Sequence, residues 1–286
     1  MSLRNLKLVE CPRDAMQGWP HFIPTQKKIE YLNALLQVGF DTIDFGSFVS
    51  PKAIPQMADT VEVLKGLKLE RTSPALLAIV ANLRGATDAA VFDEIRYLGF
   101  PFSISETFQQ RNTNSSIERS FETVSDIQGI CSAKGKELVV YISMGFGNPY
   151  GDAYDESIVF EWVNKLSTLG IRIISLADTV GLATKEQVSH VTKYVVDASP
   201  EIEIGVHLHS SPNNREEKLA AAWDAGCRRF DGAIKGIGGC PMAGDALVGN
   251  MDTEAMTRHF EAKGINPDID AAKLAECSRL AGEIFI

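Results

Sequence analysis

The stretch "LSTLGIRIISL", Leu166 to Leu176, closes a helix, turns and opens a strand within eleven residues. Leu166 and Leu169 carry the three-residue recurrence of an amphipathic helix. Gly170 supplies the left-handed position that ends a helix cheaply, and Ile171, Ile173 and Ile174 are the β-branched residues of a strand. The phrase recurs as "LLQVGFDTIDF" (Leu35–Phe45), "IRYLGFPFSI" (Ile95–Ile104) and "WDAGCRRFDGA" (Trp223–Ala233), with Gly39, Gly99 and Gly226 in the place of Gly170. Repeated helix-to-strand turns of this kind mean parallel strands joined by helical crossovers.

Extending the reading in both directions gives strand-like runs at Leu6–Val9, Thr42–Phe45, Ala75–Val80, Phe102–Ser105, Leu138–Ile142, Ile173–Leu176, Ile204–Leu208 and Phe230–Ala233. Helical periodicity falls between them, near 25–38, 53–65, 86–98, 117–134, 157–169, 185–197, 214–225 and 253–263. Eight βα units in roughly 250 residues predict an α/β fold, a closed (β/α)8 TIM barrel, ahead of an open doubly wound sheet. Residues 270–286 predict one further helix laid on the barrel. No Pro/Ser-rich linker or low-complexity segment divides the chain, so 1–286 is read as a single catalytic domain.

Composition narrows the function classes. A chain of 286 residues with 45% hydrophobic and 23% charged residues has the make-up of a globular protein with a large core. A net charge of −9 works against a broad nucleic-acid footprint. The absence of a long apolar run or a charged-then-apolar leader predicts no membrane span, no secretion and a cytoplasmic location. Five widely spread cysteines without CxxC spacing indicate neither a disulfide framework nor a zinc knuckle.

In a barrel, chemistry belongs at the C-terminal ends of the strands. "VHLHS", Val206–Ser210, ends strand seven, and His207 and His209, two apart, point to one face while Val206 and Leu208 face the helices. Two imidazoles on the inward face are costly unless something uses them, and metal binding is the use that fits. A solvated accident is the alternative for an isolated His-x-His pair. Arg13-Asp14 after strand one offers an acid beside a guanidinium, which can organise a negatively charged intermediate; on its own it also reads as a surface ion pair. Asp178 in "SLADTVG" reads equally as a cap for the helix after Thr184 or as a residue that orients a ligand. "KGIGGCPMAGDALVGN", Lys235–Asn250, is a glycine-dense loop able to close over a substrate. It lacks the order of a phosphate-cradling loop, and its Cys240 is either a buried structural thiol or a proton donor.

"PRDAMQ", "SFVSPKAIPQMAD", "SSIERSFE", "SLADTVG", "VHLH" and "GIGGCP…GN…TE", in this order and spacing over nearly the whole chain, resemble the 3-hydroxy-3-methylglutaryl-CoA lyase family, metal-dependent lyase and aldolase barrels that begin with an Arg-Asp motif. The resemblance implies cleavage of a carbon-carbon bond beside a tertiary alcohol, giving acetyl-CoA and acetoacetate. It implies a divalent cation, Mg²⁺ or Mn²⁺, held by Asp14, His207, His209 and Asn250. It also implies catalytic roles for Arg13, Asp14, His207 and Cys240, with Asp44, Ser47, Ser105, Glu106, Asp178, Gly238 and Gly239 as substrate contacts or supporting residues. An acyl-CoA substrate and a homo-oligomer, a dimer, follow from the same likeness.

The chain departs from the family pattern at Ala15 (usually Gly), Asp44 (usually Glu) and Ser210 (usually Asp). Glu10 is displaced by one position, and the loop from Cys240 to Asn250 is one residue longer. A condensing enzyme for acetyl-CoA and a 2-oxo acid, a 4-hydroxy-2-oxo acid aldolase, and a degenerate binding barrel are the competing readings. Gly239-Cys240, where condensing relatives carry an acidic-basic pair, favours the lyase.

Overall fold

Side chains that alternate along each strand give it one face for the surrounding helices and one for the barrel interior. In the computed structural model, which describes residues 6–239 and 248–286, eight such strands close on themselves. They are β1 (Lys7–Glu10), β2 (Thr42–Ser47), β3 (Ala75–Ile79), β4 (Ile95–Ser103), β5 (Glu137–Ser143), β6 (Ile173–Asp178), β7 (Glu203–Leu208) and β8 (Arg229–Gly232). All pairings are parallel and run in sequence order, and β8 closes on β1 through Leu8↔Phe230 and Val9↔Asp231. The expected (β/α)8 barrel is present.

The helices are α1 (Pro12–Gln17), α2 (Thr25–Leu35), α3 (Thr60–Lys65), α4 (Leu83–Ala90), α5 (Glu106–Thr113), α6 (Ile117–Lys134), α7 (Glu156–Thr168), α8 (Lys185–Ala198), α9 (Arg215–Asp224), α10 (Thr253–Ala262) and α11 (Ala271–Ile284). The last is the expected C-terminal helix. It packs on α2, and Phe285 just beyond it meets Trp19 edge-on at 5.2 Å. Among the described residues no helix is long and apolar enough to cross a membrane.

Three of the four helix-ending glycines behave as read: Gly39, Gly170 and Gly226 have φ of +107°, +88° and +99°. Gly99 does not. The expected helix over 86–98 stops at Ala90, and Gly99 lies inside β4. It faces the barrel interior, where an added Cβ would come within 2.5 Å of Ile79 Cδ1 and 3.2 Å of Tyr141 Cε2. Glycine is there for close packing, not for a turn. The expected helix over 53–65 is also broken, into a 3-10 turn at Pro55–Met57, with Pro55 at its first position, and α3.

The main apolar core fills the space between the sheet and the helices, and Val206 and Leu208 belong to it as expected. Inside the barrel a second, smaller cluster of Leu77, Ile79, Tyr97, Val139, Tyr141 and Ile173 occupies only the β3–β6 side. The β7, β8, β1 and β2 side is lined instead by His207, Asp231, Cys11 and Asp44. The polar half of the interior therefore leads directly to one end of the barrel.

Candidate metal centre and active site

The segment after β1 is the short helix α1, with Pro12 in its first turn. That turn sets Arg13, Asp14 and Gln17 side by side. The Arg13 guanidinium grips Asp44 of β2 with Nε (3.2 Å to Oδ1, 3.0 Å to Oδ2) and Nη2 (2.6 Å to Oδ2). Its Nη1 donates to Asp14 Oδ1 at 3.2 Å and to Gln17 Oε1 at 2.7 Å. Burial pushes Asp44 up to about 6 against the pull of Arg13. Burial would raise Asp14 as well, but Arg13, His207 and His209 outweigh it and hold that carboxyl below its ordinary value.

His207 and His209 project together from the end of β7, ring centroids 5.3 Å apart. His207 Nδ1 lies 3.2 Å from Asp231 Oδ2, across the β7–β8 pairing that sets His207 opposite Asp231. His209 Nδ1 lies 2.9 Å from the Val248 carbonyl. A carbonyl and a carboxylate only accept, so in its neutral form each ring carries its proton on Nδ1 and keeps the Nε2 lone pair, the form in which imidazole binds a metal. The rings differ in charge preference. Burial lowers both, but the Asp231 hydrogen bond and charge reverse the effect at His207, whereas the neighbouring His207 adds to it at His209.

Asn250 is brought to the site by a short antiparallel bridge to His209, fixed by Ser210 N to Gly249 O (2.9 Å) and Met251 N to Leu208 O (3.1 Å). Its amide Nδ2 donates to Asp14 Oδ2 at 2.7 Å and to Ile237 O at 2.9 Å, which leaves Oδ1, the atom a hard cation needs. Gly238 makes this approach possible: it has φ +104°, and a Cβ there would sit 2.6 Å from Asn250 Nδ2 and 2.9 Å from Ala15 Cα. One carboxylate, two imidazole lone pairs and one amide oxygen are a fitting donor set for Mg²⁺ or Mn²⁺.

A cavity of about 280 Å³ opens here, with Arg13, Asp14, Asp44, His207 and His209 at its polar end and Val49, Ile54, Ala81 and Phe108 along its walls. Several expected residues lie elsewhere. Ser47 Oγ accepts from Val49 N at 3.2 Å, Ser105 caps α5 and donates to Asp152 at 2.5 Å, and Glu106 accepts from Ile117 N at 3.0 Å; none of the three lines the cavity. Asp178 is not the cap of α8, which is Thr184 in a capping box. It accepts from Lys218 Nζ at 2.7 Å and from Ala183 N at 3.1 Å, and Lys218 in turn donates to the His209 carbonyl at 2.9 Å. Asp178 thus reaches the histidines through a buried lysine. Glu10 turns to the helix layer, accepting from Ile234 N (2.9 Å) and Thr253 Oγ1 (2.6 Å). Ser210 Oγ turns to Met251 Sδ at 3.5 Å. Gly239 has φ +136°, and Cys240 lies outside the described residues.

Gln17, which bonds Arg13 and Asp14, was missed in the sequence as a residue of the site, and so were two others. Asp231 is the partner of His207, and Cys11 stands beside both. The signal for Asp231 was the alternation of β8, where Phe230 outward implies Asp231 inward.

The profile of the HMGL-like family matches residues 6–281. The chain belongs to that family. It is 33% identical over 276 residues to the cytoplasmic 3-hydroxy-3-methylglutaryl-CoA lyase of Danio rerio, covering 95% of this chain and 80% of that one. It is 32% identical to the mitochondrial hydroxymethylglutaryl-CoA lyase of Mus musculus, covering 96% and 83%. Among solved structures, an HMG-CoA lyase from Acinetobacter baumannii in complex with coenzyme A and 3-methylmalate superposes with a TM-score of 0.91 at 34% identity, covering 98% of this chain and 91% of that one. A lyase of the HMGL-like family, on the TIM barrel expected for it, is what the chain encodes.

Proposed function

We propose that the chain cleaves 3-hydroxy-3-methylglutaryl-CoA, or a close 3-hydroxyacyl-CoA, to acetyl-CoA and acetoacetate, with Mg²⁺ or Mn²⁺ bound by Asp14, His207, His209 and Asn250. The observation that carries this reading is that Asp14, His207 and His209 line the polar end of one cavity, with Asn250 bonded to Asp14 and each imidazole Nδ1 turned to an acceptor. Bound there, the cation would supply Lewis acidity that eases loss of the substrate's tertiary hydroxyl proton. Asp14, kept ionised by Arg13, or His207, backed by Asp231, would take that proton. Breaking the carbon-carbon bond leaves the acetoacetate carbonyl and the enolate of the acetyl thioester. The Arg13 fork, fixed on Asp44 and lining the cavity, would stabilise this developing charge. Cys240 of the glycine-dense loop would return a proton to the enolate carbon. The apolar walls at Val49, Ile54 and Phe108 suit the methyl and acyl carbons. The coenzyme A held by the A. baumannii relative supports a thioester substrate.

The test is a coupled acetoacetate-release assay with Mn²⁺ and a panel of 3-hydroxyacyl-CoA esters. Cleavage of the 3-hydroxy-3-methylglutaryl ester, mostly lost in Cys240→Ser, is expected. Failure to cleave any 3-hydroxy-3-methyl thioester would overturn the reading.

A further inference from the structure

Three neighbouring strands, β7, β8 and β1, bring a thiol, an imidazole and a carboxylate together just inside the barrel mouth. Cys11, His207 and Asp231 each offer a ligand atom, and these atoms lie within 4.8 Å of one another. All three are largely withdrawn from solvent: Cys11 is 1% exposed, Asp231 2%, and the His207 side chain 14%. Two polar atoms at this spot have no partner among the described residues. Asp231 uses Oδ2 on His207 but leaves the buried Oδ1 without a hydrogen bond. The Tyr141 hydroxyl, on a ring edge-on to His207 at 5.9 Å, is likewise unpartnered, and it is close enough to Asp231 and Cys11 for their charges to act on it. Among the described residues, Cys11 Sγ makes only a 3.9 Å contact, to the Val9 carbonyl. Buried polar atoms normally find partners, and a group of this composition left without them fits a ligand.

We propose that Cys11, His207 and Asp231 form an inner cation site for a borderline-soft divalent ion of the Zn²⁺ or Co²⁺ class, sharing His207 with the mouth set. Sulfur, nitrogen and oxygen in one set is the donor chemistry such ions select, and Mg²⁺ does not. The spacing agrees. Two ligands each about 2.0–2.1 Å from a tetrahedral ion lie about 3.3 Å apart, and Asp231 Oδ2 and His207 Nδ1 are 3.2 Å apart. Tyr141 or a water fills the fourth position. Ligation replaces the hydrogen bond between His207 and Asp231: the Cys11 thiol proton is released to solvent and the imidazole proton moves from Nδ1 to Nε2. An imidazole protonated on Nε2 no longer presents a lone pair to the mouth, so the inner ion excludes the mouth ion. The inner site does not rest on the lyase reading; the exclusion rests on the mouth set assigned there.

The site is tested by titrating Co²⁺ into the full-length chain carrying Cys240→Ala, which removes the loop thiol. A thiolate-to-cobalt charge-transfer band saturating at one ion per chain is expected. It disappears when Cys11→Ala is added and needs more Co²⁺ with Asp231→Asn. No band, or a band that survives Cys11→Ala, overturns the proposal. X-ray absorption on the Zn²⁺-loaded Cys240→Ala protein decides independently of whether Cys11→Ala folds: a sulfur in the first shell supports the site, and a shell of nitrogen and oxygen alone overturns it. Mn²⁺ binding followed by electron paramagnetic resonance reads the exclusion separately. Loss of bound Mn²⁺ on Zn²⁺ addition, relieved by Cys11→Ala, is expected; undiminished Mn²⁺ overturns the exclusion. Acetoacetate release plays no part in any of these readouts, so failure of the lyase reading leaves the result on the inner site intact.

Discussion

Arg13 shows how much a single side chain can organise. Its fork makes five hydrogen bonds of 3.2 Å or less to Asp44, Asp14 and Gln17, so one cation fixes two carboxylates in a buried corner of the mouth. A lysine at this position keeps the charge and loses the planar fork, and it cannot serve both carboxylates from one point. Arg13→Lys is therefore expected to lower kcat by about 10²–10³, the range for removing one preorganised donor from an active site. Steady-state kinetics with the Mn²⁺-loaded enzyme measure this, and a kcat within threefold of the parent would show that charge alone suffices. The Arg-Asp pair was legible as a pair from the sequence because its members are adjacent. The partners that give it meaning, Asp44 and Asn250, come from β2 and from beyond β8, and only barrel closure brings them within reach.

The same contrast between local and assembled information governs the elements. Strand and helix order was readable because each element repeats its own period. Gly39, Gly170 and Gly226 act through their own backbone angles, a local property. Gly99 was misread because its cause is a neighbour: the side chains of Ile79 and Tyr141 close over it from β3 and β5. Gly99→Ala is expected to destabilise by about 1–3 kcal/mol, the overpacking range. Urea unfolding measures this, and a midpoint equal to the parent's would show that Ile79 and Tyr141 give way freely. Asp231 escaped notice for a similar reason: its role exists only through the register that sets it opposite His207, 24 residues earlier in the chain. Asp178 and Lys218 make a further tie between elements. Lys218 is 1% exposed and bonds both Asp178 and the His209 carbonyl, joining β6, α9 and the end of β7. Lys218→Met strands a buried carboxylate, which typically costs about 3–5 kcal/mol, and it also frees the His209 backbone. A lower unfolding midpoint together with weaker Mn²⁺ binding is expected; loss of stability with unaltered Mn²⁺ affinity would limit the lysine to a packing role.

At the scale of the whole molecule, a barrel built from one chain must seal its first strand to its last, and that seam carries an ionisable group. Glu10, 0% exposed, lies on β1 and accepts from Ile234 N just after β8 and from Thr253 Oγ1 at the start of α10, so one carboxyl bonds both sides of the closure. Burial pushes it from an ordinary value near 4.5 up to about 8, with Glu254 and Asp252 adding to the rise and the two hydrogen bonds opposing it. The folded chain thus keeps a proton that the unfolded chain gives up between about pH 4.5 and 8. The contribution is fully present below the unfolded value. It falls as pH rises toward the folded one, with a slope of at most about 1.4 kcal/mol per pH unit. Glu10→Gln removes the titration and keeps a neutral group of the same shape, whose amide oxygen accepts from Ile234 N while its nitrogen meets the Thr253 hydroxyl. Urea midpoints of parent and variant, measured from pH 5 to pH 8, are therefore expected to diverge, the parent losing ground as pH rises. Parallel curves would mean that the seam holds a charged carboxylate throughout, and that the two hydrogen bonds, not the proton, compensate its burial.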